Sequence, residues 1–577
     1  MIRLMKLFFQ TITVFLLLAA GLVGGSEIMA QNKTGADLVL LNGEVATLDE
    51  SRPAAEAVAV GGDTIMAVGS NDAIRPLIGA DTRVIDLAGK MLIPGFVESH
   101  AHFMGLGESL TWLRLGKARN FDEIVTMVSD AASKARPGEW ILGRGWHQEK
   151  WDKAPSPVVE GFPVHAAMSA VSPNNPVMLI HASGHAILVN VKAMELAGIN
   201  GATPDPTGGE ILHDSAGDPT GIFSENAEDL ITVVYDQYMA SRTPEQVRAD
   251  EMKAIDLATT ECLTKGITTF CDAGVPLDTV DIYRELADQG RLGVRLYAML
   301  SDSNHILAPV LPRYRMIGYG NNFLTVRAIK RAIDGALGSH GAWLLEPYND
   351  LPTSNGLNTE TIPAMEETAR LAADNGYQFC THAIGDRANR QVLDIYQAAL
   401  AGMPDGTKLR WRIEHAQHLN SQDIPRFGQL GVIAAMQGVH CTSDGPWVPK
   451  RIGDKRAAEG AYVWRKLLET GAVVVNGTDA PVEDVNPIAC FFSTVTRRLP
   501  DGTRFYPDQC MTREEALRSY TLDAAYAMFE ESIKGSITPG KLADLVVLSN
   551  NILTIPEDSI PNTRVIYTIV GGRIAFQ

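Results

Sequence analysis

Cysteine is scarce in this sequence, with six among 577 residues, and no two of them form a Cys-x-x-Cys pair. A chain of this size can fold without covalent cross-links, so a disulfide framework is not expected. Most of the cysteines lie inside apolar runs, which predicts free and buried thiols. They are Cys262, Cys271, Cys380, Cys441, Cys490 and Cys510.

Net positive charge is also absent, because the formal charge is −18 at pH 7. Binding to a phosphate backbone needs a basic surface, so nucleic acid is not expected as a ligand, whereas a small-molecule substrate stays open. Charged residues make up only 20% of the chain and hydrophobic residues 45%. This balance permits a large core and argues against global disorder. We find no internal repeat and no low-complexity tract.

A long hydrophobic run occurs at the N-terminus and is not followed by a second one nearby. Arg3 and Lys6 precede the apolar residues 7–23. This pattern is typical of a secretory signal peptide, here residues 1–30 with cleavage after Ala30. It predicts export to the periplasm or the extracellular space. The alternative is an uncleaved membrane anchor, although the run is slightly short and interrupted by polar residues.

The middle of the chain alternates strand-like and helix-like segments over about residues 91–535. Eight apolar runs rich in β-branched residues are separated by amphipathic stretches, which predicts an α/β fold with a parallel (β/α)₈ TIM-like barrel. The runs are residues 93–102, 266–275, 292–300, 324–333, 377–383, 411–416, 432–439 and 473–477.

Both ends of the chain predict β-structure outside this barrel. Residues 36–90 and 536–577 alternate apolar and polar positions and contain Asn-Gly and Gly-Gly turn signals. We therefore predict one discontinuous β-sandwich domain built from both termini. Residues 111–238 are too many for one connection after the first barrel strand, and such an insertion is usually a lid or a substrate-binding subdomain.

Metal-binding residue types recur at the ends of the predicted barrel strands. His100 and His102 are spaced i and i+2, so on a strand they share one face and can bind one ion. Alone, the pair could equally be one surface and one core histidine. Later strands add four more candidates, and barrel chemistry is located at this end of the strands. The four are Lys330, His382, His415 and Asp479.

The motifs around these residues resemble the metal-dependent amidohydrolase superfamily, and more narrowly the branch that includes the N-substituted formamide deformylases. The resemblance runs from about Ala36 to the C-terminus. Further segments of the branch are GRGW at 143–146, Gly184-His185, and a pattern from Met436 to Trp447. The main motifs are PGF at 94–96 before His100, DGALGS at 334–339, THAIGDRA at 381–388, IEHA at 413–416 and GTDAPV at 477–482.

The resemblance implies a role for each candidate ligand. His100, His102 and Asp479 would bind the more buried divalent metal, and His382 and His415 a second one. Lys330 would bridge the two as a carbamate, because an ammonium cannot bind a cation whereas a carbamate offers two oxygens. Zinc suits this nitrogen-rich set. The alternative is one metal, with Lys330 unmodified and hydrogen-bonded.

The implied chemistry is hydrolysis of a non-peptide C–N bond in an amide, formamide or cyclic amide. Asp479 would act as general base and then as general acid, and His440 and His185 would polarise or orient the substrate. The open alternatives are a deaminase or ester hydrolase using the same site, or an exported binding protein without catalysis. A homodimer is expected only by analogy of fold, and membrane contact only through an uncleaved N-terminal segment.

Two residues depart from the family pattern. Arg331 stands where the family usually has an apolar residue, and by strand alternation it should face the helices. Glu98 stands where the family often has Asp. We expect both to be differences of packing rather than losses of function.

Overall fold

The computed structural model describes residues 35–403 and 406–577. The predicted signal peptide at residues 1–30 lies outside the described residues. Within the described part of the chain, no helix is both long enough and apolar enough to cross a membrane. All six cysteines lie in that part and are free, five of them buried and Cys510 half-buried.

Eight parallel strands form the barrel that the sequence predicts. Each strand pairs in parallel with the next along the chain, and the second also pairs with the first. The strands are β1 (Phe96–Ala101), β2 (Ile267–Val275), β3 (Arg295–Leu300), β4 (Leu324–Ala332), β5 (Gln378–Ala383), β6 (Arg412–His415), β7 (Ile433–Gln437) and β8 (Val474–Gly477).

The barrel closes between β8 and β1 at its C-terminal end. The Asp479 amide donates to the His100 carbonyl at 2.8 Å, and the His102 amide donates to the Ala480 carbonyl at 2.8 Å. The Ser99 hydroxyl also donates to the Asn476 carbonyl at 2.5 Å. The last strand is therefore held against the first where the predicted site residues lie.

Helices surround the barrel strands. The helix before β2 begins with a capping box, in which Thr243 and Gln246 satisfy each other's backbone N–H groups. The helix before β5 ends at Gly376 in the left-handed conformation that favours glycine. The principal helices are Pro244–Thr264, Leu277–Asp288, Ile362–Asn375, Asp386–Leu400, Ile424–Leu430, Trp464–Glu469, Pro487–Thr496 and Arg513–Ser519.

Two further sheets combine residues from the two ends of the described chain. Their inward-facing side chains, including Leu38, Val58, Leu545 and Ile569, form one hydrophobic cluster. The strand Met91–Pro94 pairs with Leu545–Leu548 in the larger sheet, so the barrel begins at Phe96 and not at residue 91. The smaller sheet contains Leu38–Leu41, Ala57–Gly61, Thr64–Gly69 and Arg83–Asp86. The larger contains Glu44–Ala46, Ala54–Ala55, Met91–Pro94, Leu545–Leu548, Val565–Val570 and Arg573–Phe576.

The long connection after β1 folds around a six-stranded mixed sheet of its own. Hydrophobic clusters cover both faces of this sheet, so the insertion has its own core. Its strands are Leu113–Arg114, Ile141–Trp146, Val177–His181, Ala186–Val189, Gly209–His213 and Pro219–Glu225. Its longer helices are Phe121–Ala132, Ala166–Val171, Val191–Ala197 and Asp229–Ala240.

Candidate metal centre

The barrel brings the six predicted ligands to one end. His100 lies in β1 with His102 just after it, and Asp479 follows β8. Both histidines face the same carboxylate, with Nε2 to Asp479 Oδ1 distances of 3.5 Å from His100 and 3.3 Å from His102. The i, i+2 spacing therefore places both rings on one side of the strand, as alternation requires.

The histidines of β5 and β6 complete this cluster. The His382 and His415 ring centroids are 4.5 Å apart, and those of His100 and His415 are 4.8 Å apart. Lys330 on β4 lines the same cavity as His102, His382, His415 and Asp479. Burial of its amine lowers the pKa of Lys330.

His440 lies closer to the candidate ligands than its predicted substrate-orienting role requires. It stands in the short helix Gly438–Asp444 that follows β7. The metal-binding atoms of His415, His440 and Asp479 all lie within 4.8 Å of one another, as do those of His100, His102 and Asp479. Asp479 thus belongs to two overlapping groups of three.

Several polar atoms at this centre are buried without a hydrogen-bond partner among the described residues. They are Nε2 of His100, Nε2 of His382, Nε2 of His440 and Oδ1 of Asp479. A buried polar atom left unpaired costs about 1–3 kcal/mol, so a cluster of such atoms calls for a common partner. Imidazole nitrogens and a carboxylate oxygen fit a divalent cation such as zinc.

A buried ion pair orients the first of these histidines. Glu414 contacts the His100 Nδ1, and Arg412 donates to both Glu414 oxygens at 2.7 and 2.8 Å. Burial alone would raise the pKa of Glu414, but Arg412 and His100 hold it well below its ordinary value. Because Nδ1 is engaged by a carboxylate, Nε2 is the His100 nitrogen that points toward Asp479.

The next two histidines also lie beside polar side chains. The His415 Nδ1 lies 2.7 Å from Gln437 Oε1. The His382 Nε2 lies 3.6 Å from Asp334 Oδ1, and Asp334 accepts three backbone N–H groups, from Trp343, Ile384 and Gly385. Burial raises the pKa of Asp334 to about 8.

His185 reaches the centre from the insertion. Its ring centroid is 4.8 Å from that of His382, and its Nδ1 is 2.7 Å from Glu225 Oε2. Burial lowers the pKa of His185, but the Glu225 carboxylate outweighs this and raises it. Gly335 and Gly341 leave room for that carboxylate, since a Cβ at either position would overlap Glu225 Oε1.

Three residues of the site have backbone conformations that L-amino acids rarely adopt. The φ angles are +73° at His415, +58° at Asp479 and +53° at Glu225. Such strain persists only where the surroundings enforce it, and it concentrates at functional positions.

Further charged and aromatic residues line the cavity beside the cluster. His147, Lys150, Asp444 and Trp447 lie on one side. Arg144 lines the other side. Arg331 faces away from the site, as alternation predicts, and donates to the carbonyls of Ser301 and Asp302 at 3.2 and 2.7 Å.

Glu98 is also buried next to the ligands. It accepts the Thr478 amide at 2.8 Å and the Thr478 hydroxyl at 3.0 Å. Burial raises the pKa of Glu98 to about 8. Its longer side chain thus ties β1 to the loop that carries Asp479, which is a structural role.

A sequence profile of the amidohydrolase family matches residues 83–576. Protein LONG AFTER FAR-RED 3 of Arabidopsis thaliana is 33% identical over 93% of this chain and 91% of its own length. N-substituted formamide deformylase of Arthrobacter pascens is 27% identical over 94% of this chain and 98% of its own length. The crystal structure of an uncharacterized metal-dependent hydrolase from Pyrococcus furiosus superposes with a TM-score of 0.68 and 26% identity, covering 90% of this chain and 100% of the other.

Proposed function

This chain belongs to the amidohydrolase family and is a metal-dependent hydrolase, and we propose that it cleaves a non-peptide C–N bond in a small amide, formamide or cyclic amide. The observation that carries the proposal is the convergence of His100, His102 and Asp479 with unpaired nitrogen and oxygen atoms. The similarity to a formamide deformylase over nearly the whole chain supports the class of bond.

Five side chains are proposed as protein ligands of one or two divalent ions, and their chemistry favours zinc. Such an ion supplies Lewis acidity, which lowers the pKa of a water molecule to about 7 and polarises a carbonyl oxygen. The nitrogen-rich donor set favours zinc over calcium or magnesium. The proposed ligands are His100, His102, His382, His415 and Asp479.

Asp479 is proposed to move the proton. Burial alone would raise the pKa of this carboxyl group, but the adjacent imidazoles of His100 and His102 hold it well below its ordinary value. The carboxylate is therefore ionised at neutral pH and can accept a proton from the attacking water. The same group then delivers that proton to the leaving nitrogen.

His185 and His440 are proposed to contact the substrate. Both line the cavity that also contains His382 and Asp479. His185 is oriented by Glu225, so its free Nε2 can donate toward a carbonyl oxygen that gains negative charge. His440 is fixed by its helix, and its unpaired Nε2 serves either as a donor to the substrate or as a further metal ligand.

Lys330 is proposed to carry a carbamate. Its lowered pKa favours the neutral amine, which can attack carbon dioxide and lose a proton. The resulting group offers two oxygens in the cavity shared by the histidines of β5 and β6. With Lys330 unmodified, the site would instead hold one metal ion.

Export with cleavage after Ala30 is proposed on the residue pattern of the N-terminus alone.

The test is Asp479→Asn, measured against a panel of formamides, N-acyl compounds and cyclic amides. We expect kcat to fall by roughly 10²- to 10⁴-fold, because the amide cannot accept the proton. Part of the metal should remain, since the other ligands are intact. The matched control is Asp484→Asn, whose side chain is 65% exposed and pairs with Lys265 at the surface. Near-normal activity in Asp479→Asn would reject the proton-transfer role.

A further inference from the structure

Arg144 lines the cavity that contains the candidate metal ligands, yet the proposed chemistry gives it no task. It belongs to the insertion strand Ile141–Trp146 and shares a cavity wall with His102, Lys330 and Asp479. Among the described residues of this wall, Glu108 is the one carboxylate that is not a proposed ligand, and its side chain is exposed to solvent. Arg144 is half-buried, so it is a basic group held close to the reacting centre.

The guanidinium of Arg144 is poorly satisfied by the protein. A guanidinium has five N–H donors, but Arg144 makes only two long hydrogen bonds, to the Pro481 carbonyl at 3.4 Å and the Ala182 carbonyl at 3.5 Å. Among the described residues it forms no ion pair within 4.0 Å, although the carboxylates of Asp479 and Glu228 lie near enough to act on its charge. A partly buried guanidinium with no carboxylate in direct contact is costly, so its unused N–H donors point to an anionic ligand.

The local backbone is arranged to hold Arg144 in this place. The pairing of its strand with Val177–His181 shifts register between Arg144 and Trp146, with Gly145 at a φ of +102°. A bulge of this kind redirects side chains and is common beside active sites. Gly184 has a φ of +76°, and a Cβ there would lie 3.2 Å from Arg144 Nη2. Any larger residue would crowd the guanidinium.

Among the described residues that line the opposite side of the cavity, we find no comparable free cation. Lys150 lies there, but it pairs with Glu483 at 3.3 Å. Asp444 on that side accepts the Tyr462 hydroxyl at 2.8 Å. The charges thus differ between the two sides, which gives a bound substrate a preferred direction.

We propose that Arg144 binds a carboxylate of the substrate, so that the preferred substrates are small amides bearing a carboxylate next to the scissile C–N bond, as in N-acyl amino acids. This inference rests on the proposed function, because it adds a recognition group to that reaction. A planar guanidinium is the side chain best matched to a carboxylate, which it can bind through two parallel hydrogen bonds.

The experiment compares N-formyl and N-acetyl amino acids with the matching N-formyl and N-acetyl alkylamines, which lack only the carboxylate. For Arg144→Gln we expect kcat/KM on the carboxylate compounds to fall roughly 10- to 100-fold, mainly through KM, since charged hydrogen bonds are lost. The neutral compounds should change little. Arg144→Lys should recover part of the loss. The control is Arg136→Gln in the same insertion, whose side chain is 88% exposed.

Equal losses on charged and neutral compounds, or none on either, would overturn the carboxylate subsite. If the wild-type enzyme cleaves neither the carboxylate compounds nor the neutral ones, the proposed reaction is wrong. The carboxylate subsite is then tested separately, by calorimetric binding of the same carboxylate compounds. Binding by the wild type that is lost in Arg144→Gln and partly kept in Arg144→Lys would support it. No binding by the wild type would refute it.

Discussion

At the scale of single residues, the candidate metal centre depends on groups that hold its side chains in position. His100 has no accessible surface, and its Nδ1 is fixed by Glu414, which Arg412 in turn holds ionised. The other nitrogen is thereby directed at Asp479. Partners of this kind set both the tautomer and the ring orientation of a metal-binding histidine.

Glu225 is expected to act in the same way on His185. In Glu225→Gln the hydrogen bond to Nδ1 can persist, but the negative charge behind the ring is lost. We expect kcat to fall by roughly 10-fold or more, in the range seen when such orienting partners are removed, with the thermal midpoint nearly unchanged. The control is Glu210→Gln, an exposed residue on the neighbouring strand. A Glu225→Gln enzyme as active as the wild type would show that His185 needs no charged partner.

The candidate ligands could be picked out from the sequence but these partners could not, for a physical reason. His100, His102 and Asp479 could be found because their residue types are rare at strand ends and their strands are recognisable. Glu414 lies beside His415 in a motif, yet its contact is with His100, 314 residues away. Glu225 contacts His185, which lies 40 residues away just before another strand. Contacts between distant segments leave no local pattern.

At the scale of elements, a buried ion pair joins the barrel to the sheet formed near both ends of the chain. Arg295 at the start of β3 donates to both oxygens of Asp544, at 2.7 and 3.0 Å, with side chains only 2% and 4% exposed. Removing one partner of such a pair costs about 3–5 kcal/mol, because the other charge stays buried and uncompensated.

We therefore expect Asp544→Asn to lower the thermal midpoint by several degrees in scanning calorimetry. The double variant Arg295→Met with Asp544→Leu should recover much of the loss, since no charge is then left buried. If the thermal midpoint of Asp544→Asn equals that of the wild type, this ion pair does not couple the barrel to the sheet.

A second ion pair gives a pH dependence. Arg465 donates to Glu515 at 2.9 Å, and this hydrogen bond, opposed by burial, lowers the pKa of Glu515 from 4.5 to about 2. The folded pKa lies below the unfolded value, so the contribution to stability is present above pH 4.5 and is lost as the pH falls toward 2. Glu515→Gln should lower the thermal midpoint at pH 7 but narrow the gap to wild type between pH 5 and 3. A constant gap over that range would contradict this pairing.

The elements themselves were largely predictable from local pattern. All eight barrel strands fall within the predicted runs, because buried parallel strands are continuous apolar segments. The pairing of Met91–Pro94 with Leu545–Leu548 was missed, and residue 91 was wrongly taken as the start of the barrel. That short apolar strand runs straight into β1, so only its distant partner identifies the sheet to which it belongs.

At the scale of the whole molecule, the insertion sits on the barrel through charged contacts. Glu149 receives hydrogen bonds from Lys450 at 2.8 Å and Arg451 at 3.1 Å, and Lys150 pairs with Glu483 at 3.3 Å. These contacts hold Arg144 and His185 beside the candidate ligands that come from the barrel strands. The candidate site is therefore assembled from both parts of the fold.

The central claim, that distant side chains converge to bind a divalent ion, is tested most directly by metal content. Protein purified with supplemented zinc should retain one or two ions per chain after desalting, measured by elemental analysis. His100→Asn should retain clearly less, while the exposed control Asp484→Asn should match the wild type. A wild-type protein with no tightly bound ion, or a His100→Asn protein with unchanged content, would contradict the account.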